Sequence, residues 1–454
     1  MKPQPHIVFR WPGIARVLAT LAVLPAAWAG PYSAPAYDPA NTYDAPIPGF
    51  IGPDGEGMAR LWMLDADYNP FYENPANYVN PLFAGWADAA ISYAPAAGVS
   101  AEWLNPSLTL GPVTGDDFDV ASLGDLTIAQ VTGGSQPGRI VVRLANPVGN
   151  LPGADFAVFE NGFVAENPTE DGGVVGQFSA DLAFVEVSSD GSHFARFPAR
   201  SLTEASVGKY GTITASNVFN LAGKHANSGG RSWGTPFDLS GLAADPLVTT
   251  GQVNLNAIQY IRIVDIPGTG QYKDSSGPPG APIYDPSVTF GSGGFDLEAV
   301  GAISVPMTFA GWQQWKGPDT SDPHADPDGD GVNNLVEAAL GRDPLHPDRE
   351  PATAIVQVSG HPAISFTRDT RMIDLTIEVA ASSDLVHWTV IARSSAGGAL
   401  LPVAPFAPFA PVIGDVSASP IQSIGVIRRQ TVRDVLVSPS TPRFFRLNIV
   451  PPAP

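Results

Sequence analysis

Between residues 326 and 337 the chain reads D-P-D-G-D-G-V-N-N-L-V-E, with carboxylates at Asp326, Asp328, Asp330 and Glu337. Like charges at this density repel one another unless a cation holds them together. Counted from Asp326 as position 1, the oxygen-bearing side chains fall at positions 3 (Asp328), 5 (Asp330), 9 (Asn334) and 12 (Glu337), with Gly331 at 6 and Val332 at 7. Side chains at alternate positions converge on one point when the loop curls. Glycine at position 6 permits the sharp turn, and position 7 contributes only its carbonyl, so valine is tolerated there. Glu337 closes the shell with both oxygens. A flexible shell of hard oxygens suits Ca²⁺, whereas Mg²⁺ holds on to its waters. The expected ligands are therefore Asp326, Asp328, Asp330, Asn334 and Glu337 through side chains and Val332 through its carbonyl.

Such a loop needs a helix to present Glu337. Residues 333–340 are expected to form it, stopped by Gly341. An entering helix over 309–316 is cut short by Gly317-Pro318, so the unit is a half EF-hand. Asp319, Asp322, Asp343 and Asp348 are candidates to extend the acidic shell. A metal-free acidic linker is the competing reading, but it does not call for this spacing. The loop is similar to dockerin-type loops and thrombospondin type 3 repeats.

The chain of 454 residues carries 44 Asp and Glu against 24 Lys and Arg, a net charge of −20. That surface repels nucleic acid and anionic lipid and attracts divalent cations. Residues 1–29 read as a secretory leader: Lys2, Arg10 and Arg16 precede an apolar run over 17–27, and Ala27-Trp28-Ala29 offers a small-x-small cleavage site. A retained anchor is the competing reading, and no later segment is expected to span a membrane. With no cysteine there are no disulfides, so an extracellular location requires other fasteners, of which a metal ion is one.

Gly (47) and Pro (46) abound, and short Val-, Ile- and Phe-rich runs alternate with turn residues, so an all-β chain is expected. Residues 30–305 read as a large jelly-roll-like β-sandwich, 306–350 as the calcium-binding half EF-hand linker, and 351–454 as a small immunoglobulin- or fibronectin-like β-sandwich. Strands are expected at 139–144, 155–159, 183–187, 258–264 and 295–300 in the first region. In the last they are expected around 355, 364–366, 375–379, 388–390 and 444–447. A helix is expected at 81–91, and a loop at 402–411, where proline cannot serve a central strand. The stretches V-E-V-S-S-D-G-S-H-F from Val185 and I-E-V-A-A-S-S-D-L-V-H-W from Ile377 echo each other, which two similar hairpins explain.

The run G-D-G-V-N-N-L-V-E-A-A-L-G-R-D-P resembles the calcium segment that joins β-domains in many secreted bacterial proteins. A-S-S-D-L-V-H-W-T and S-P-S-T-P-R-F-F-R-L resemble the C-terminal sandwich that follows it in such proteins. G-D-D-F-D-V-A-S-L-G-D, P-G-A-D-F-A-V-F-E-N-G-F, Y-I-R-I-V-D and G-G-F-D-L-E-A-V-G resemble an uncharacterised family of bacterial cell-surface proteins. Analogy with jelly-roll carbohydrate-binding modules makes Glu160 and Asp296, with Asp155 as a third, candidates for a second calcium. Gly230-Arg231-Ser232-Trp233-Gly234 matches G-x-S-x-G, but a polar loop precedes it and Pro236 follows, against a nucleophile elbow. The seven histidines form no H-E-x-x-H pair. Trp233, Tyr272 and Tyr284 fall in loops, where they either stack on sugars or cover a core edge. The expected function is a secreted or cell-surface calcium-binding protein, non-enzymatic, with a glycan or protein ligand. The alternative is a secreted polysaccharide-acting hydrolase with an accessory C-terminal module.

Overall fold

The computed structural model describes residues 6–9, 45–64, 70–168, 172–179, 181–287, 289, 293–348, 350–358, 360–403, 412–414, 425–434 and 443–452. Strands dominate and helices are few, as the composition requires. The chain divides into two compact units: residues 28–305, and residues 306–454 together with 1–27.

The first unit is built on one long antiparallel ladder that curls into a half-barrel. Its middle strands are Ala183–Ser188, Ile258–Asp265, Arg139–Val148, Gly85–Ala94, Asp296–Ala302, Phe156–Glu160 and Trp233–Phe237, in that spatial order. Every residue of Ala183–Ser188, Phe156–Glu160 and Asp296–Ala302 is buried. Both faces of these strands are covered, which is why they read as near-continuous apolar runs rather than alternating ones. Phe156 stacks on Phe237 at 5.3 Å between ring centroids, and Phe197 meets both rings. Each such buried ring contributes on the order of 2–3 kcal/mol.

The helix expected at 81–91 is instead the strand Gly85–Ala94. Its first residues pair with Asp296–Ala302 and the rest with Arg139–Val148, and its register shifts twice along the second ladder. Alanine-rich sequence favours a helix in isolation, but hydrogen bonding on both edges overrides that preference. This strand carries the sheet round its curl, with the bulges supplying the bend.

In the second unit two antiparallel sheets are present. One runs His6–Phe9, Phe444–Val450, Thr376–Ser382, Thr389–Ser395, Leu401–Pro402; the other runs Thr353–Val358, His361–Asp369, Ile427–Arg433, Val412–Gly414. The expected leader lies outside the described residues apart from His6–Phe9, which pairs along Phe444–Val450. Most of the loop expected at 402–411 also lies outside them. Pro402 sits on an edge strand, where a missing N–H does no harm.

The sequence echo has a shared cause. In Ser188-Ser-Asp190-Gly-Ser-His193 the Ser188 hydroxyl accepts from the Asp190 and Gly191 amides, and Asp190 accepts from the Ser192 and His193 amides. Ser382, Asp384, Leu385, Val386 and His387 repeat every one of these bonds. The histidine ring closes each turn on the aspartate, at 2.8 and 2.7 Å. Two hairpins use one turn chemistry.

The acidic loop joins the second unit through the helix Asn334–Leu340. Asn333 caps it by accepting from the Val336 amide at 3.1 Å, and Gly341 ends it with φ +71°. All seven helical residues are buried. Thr367 donates its hydroxyl to the Leu340 carbonyl at 2.8 Å, and a Cβ at Gly341 would collide with the Ile427 side chain. Gly341→Ala is therefore expected to lower stability by about 2 kcal/mol or more, from left-handed backbone strain plus the clash. Gly329→Ala, with φ +77° but open space around it, should cost only the strain. Thermal melts of the two variants side by side check this.

Candidate metal centre

Asp326, Asp328 and Asp330 bring one carboxylate oxygen each within 4.8 Å of one another, as the loop spacing requires. Short-range turns fix them. Asp326 accepts from the Gly329 and Gly331 amides at 2.9 Å each, Asp328 from the Asp330 amide at 3.1 Å, and Asp330 from the Val332 amide at 2.8 Å. Gly329 and Gly331 both have positive φ, at +77° and +90°, so the curl depends on glycine.

Glu337, outside that close trio, is fully buried, and neither of its carboxylate oxygens has a hydrogen-bond partner. Asp328 Oδ2 and Asn334 Oδ1 are likewise buried and unpartnered. Asn334 spends its amide hydrogens on the Asp322 carbonyl at 2.8 Å and the Asp319 carbonyl at 3.3 Å, leaving the oxygen over. Burial pushes the Glu337 carboxyl up to about 8, and Asp328, Asp330, Asp348 and Asp343 push the same way. Burial, with Asp330 and Asp326 adding to it, takes Asp328 to about 6. A buried unpartnered oxygen costs about 1–3 kcal/mol, and more when charged. Four such oxygens on three expected ligand residues fit a hard cation of the calcium class.

The extended acidic shell divides differently from expectation. Asp319 and Asp322 serve Asn334 through backbone carbonyls rather than carboxylates. Asp343 is matched by Lys316 at 3.3 Å and His346 at 2.7 Å. Asp348 is bound by Arg342 at 3.0 Å and donates its amide to Asp330 at 3.2 Å. Burial pushes its carboxyl up, and Arg342 opposes this. Asp343 and Asp348 thus already have cationic partners, while Glu337 and Asp328 do not.

The remaining candidates resolve by geometry. Ser232 of the G-x-S-x-G match is fully buried and leads into the strand Trp233–Phe237, not a helix, so it is no nucleophile elbow. The Trp233 ring packs over Gly57, the Tyr284 ring over Gly270, and Tyr272 meets Phe184 edge-on within a core cluster, so these aromatics cover core edges. Asp155 accepts from the Leu151 and Leu239 amides, at 3.0 and 2.7 Å, so both its oxygens are engaged. An open groove of about 930 Å³ in the first unit is lined by polar groups including Gln177, Ser201, Thr203, Glu204, Thr212 and Asn217, which carry no local sequence signal. Among the described residues no helix is long and apolar enough to cross a membrane. Comparison with family models, curated proteins and solved structures found no match to this chain.

The raised carboxyls fix the sign of a pH effect. In chelator, between about pH 4 and 8, the folded chain retains protons on Asp328 and Glu337 that the unfolded chain has shed. Stability should therefore fall as pH rises through that window. Glu337→Gln should make the chelated protein more stable at pH 8 than the parent, because it removes a buried charge. Melting curves in chelator from pH 4 to 9 check both, and a parent that stabilises with rising pH would contradict the assignment.

Proposed function

We propose that this chain is a secreted or cell-surface calcium-binding protein whose acidic loop closes on one Ca²⁺, and that its role is binding rather than catalysis. The observation that carries the ion reading is Glu337: a wholly buried carboxylate with two unpartnered oxygens, at the loop position where a bidentate ligand belongs. Asp326, Asp328, Asp330 and Asn334 supply the other side-chain oxygens and Val332 its carbonyl. The absence of cysteine supports a stabilising role for the ion in an oxidising compartment. The hydroxyl- and amide-rich groove supports a polar ligand such as a glycan, whose hydroxyls match such a lining.

Because the loop's helix is packed into the second unit, ion binding should stabilise that unit by linkage. At a free calcium concentration a hundredfold above Kd the gain is about 2.7 kcal/mol. Melts of the whole protein with Ca²⁺, with Mg²⁺ and with chelator test this, repeated for Asp328→Ala/Glu337→Ala. A calcium-selective rise that the double variant loses supports the reading. Identical melts in all three conditions would reduce the loop to an acidic connector. Retention on immobilised polysaccharide without release of reducing ends tests the binding role, and turnover would favour a hydrolase.

A further inference from the structure

A second group of acids lies entirely within the first unit. Asp125, Glu160, Asp181, Asp265, Asp285 and Asp296 come from six separate segments, and each of Glu160, Asp181, Asp265 and Asp285 feels the negative charge of at least two others. The strand ladders place them. Asp265 ends its strand opposite Ala183, two residues after Asp181, and Asp296 begins the strand that pairs with Phe156–Glu160.

Backbone amides hold these carboxylates in position. Phe295 donates to Asp265 Oδ1 at 2.9 Å, Leu182 to Asp285 Oδ2 at 2.8 Å, Thr289 to Asp125 Oδ2 at 3.0 Å and Gly162 to Glu160 Oε2 at 2.9 Å. Each donor belongs to the same knot of segments, so the acids are fixed by the fold rather than gathered by chance. Asp265 and Asp285 are 0% and 1% exposed. The oxygens that their amides leave over, Asp265 Oδ2 and Asp285 Oδ1, are buried without a hydrogen-bond partner. Burial and mutual repulsion both drive Glu160, Asp181, Asp265 and Asp285 well above the usual carboxylate range.

We propose that this knot is a second divalent-cation site, of the calcium class, centred on Asp265 and Asp285 and supported by Asp125, Glu160, Asp181 and Asp296. The donors are all oxygens, which favours calcium over zinc or copper. Among the described residues no three of these acids approach as closely as the 4.8 Å of the loop trio. The ion therefore takes two of the carboxylates directly and completes its shell with carbonyls and water, which a shell of six to eight oxygens allows. It would tie the segments of Asp265 and Asp285 together, with the four other acids around them.

Calorimetric titration of the whole, chelator-stripped protein with Ca²⁺ tests this, using the parent, the loop variant Asp328→Ala/Glu337→Ala and the knot variant Asp265→Asn/Asp285→Asn. Two ions are expected in the parent and one in each variant. The loop variant should still show a calcium-dependent rise in melting temperature. Should the knot variant fail to fold, Glu160→Gln is used in its place, and should weaken the surviving site of the loop variant roughly tenfold. A loop variant that takes up no calcium overturns the proposal and leaves the loop assignment standing. A single ion lost only in the knot variant overturns the loop assignment instead. A loop variant stabilised by acid but not by Ca²⁺ shows that the knot holds protons, and also overturns the proposal.

Discussion

A carboxylate taken out of water must be given a compensating partner, and this chain has too few cations to provide one for every acid. With 44 acidic and 24 basic side chains, the fold must find other solutions. Some acids do get an arginine: Glu186 lies between Arg196 and Arg262, Asp369 pairs with Arg371, and Asp434 with Arg443. Others are satisfied by neutral donors, as Asp155 is by the Leu151 and Leu239 amides and the Ser304 hydroxyl. Glu298 accepts from the Thr114 and Gly115 amides and from Asn227. Where neither device suffices, in the loop around Glu337 and in the knot around Asp265 and Asp285, oxygens are left over. These residues, rather than the most acidic stretches of surface, are the candidates for an ion.

The loop's leftover charge matters because the elements around it are short. A helix of seven residues does not stand alone in water. Asn334–Leu340 exists because Asn333 caps it, its side chains are buried and Thr367 anchors its last carbonyl. Every favourable contact that orders the helix also buries Glu337 further. Packing and electrostatics oppose each other at this one residue, and a bound cation would remove the opposition. In its absence the segment from Asp326 to Asp348 is the part of the second unit expected to open first.

How far the sequence could be read followed the distance between interacting residues. The loop is legible because its candidate ligand residues lie within twelve positions, and the cap and stop of its helix are adjacent to them. The strand-forming runs were legible because burial on both faces leaves an apolar signature, as at Phe156–Glu160 and Ala183–Ser188. Gly85–Ala94 was misread because its small residues carry no such signature; only its two neighbours make it a strand. The knot was half visible. Glu160 and Asp296 stood out beside apolar runs, and Asp155 was grouped with them, although its oxygens are engaged elsewhere. Asp125, Asp181, Asp265 and Asp285 carry no such signal, since nothing local links an acid at one strand end to another far along the chain. A lone aspartate closing the apolar run I-R-I-V-D was the one available hint.

That difference in sequence distance also separates the physical roles of the two sites. An ion in the loop constrains a dozen residues whose closure entropy is small, so its effect is local to the helix and what the helix touches. The knot gathers segments spread from Asp125 to Asp296, and ordering them costs far more chain entropy before any contact compensates. Charge repulsion among six acids adds to that cost throughout folding. Compensation there must come late, once the strands are paired and the amides of Leu182 and Phe295 are in place. An ion in the loop would act on the helix Asn334–Leu340 and its neighbours, whereas one in the knot would bear on the stability of the whole first unit.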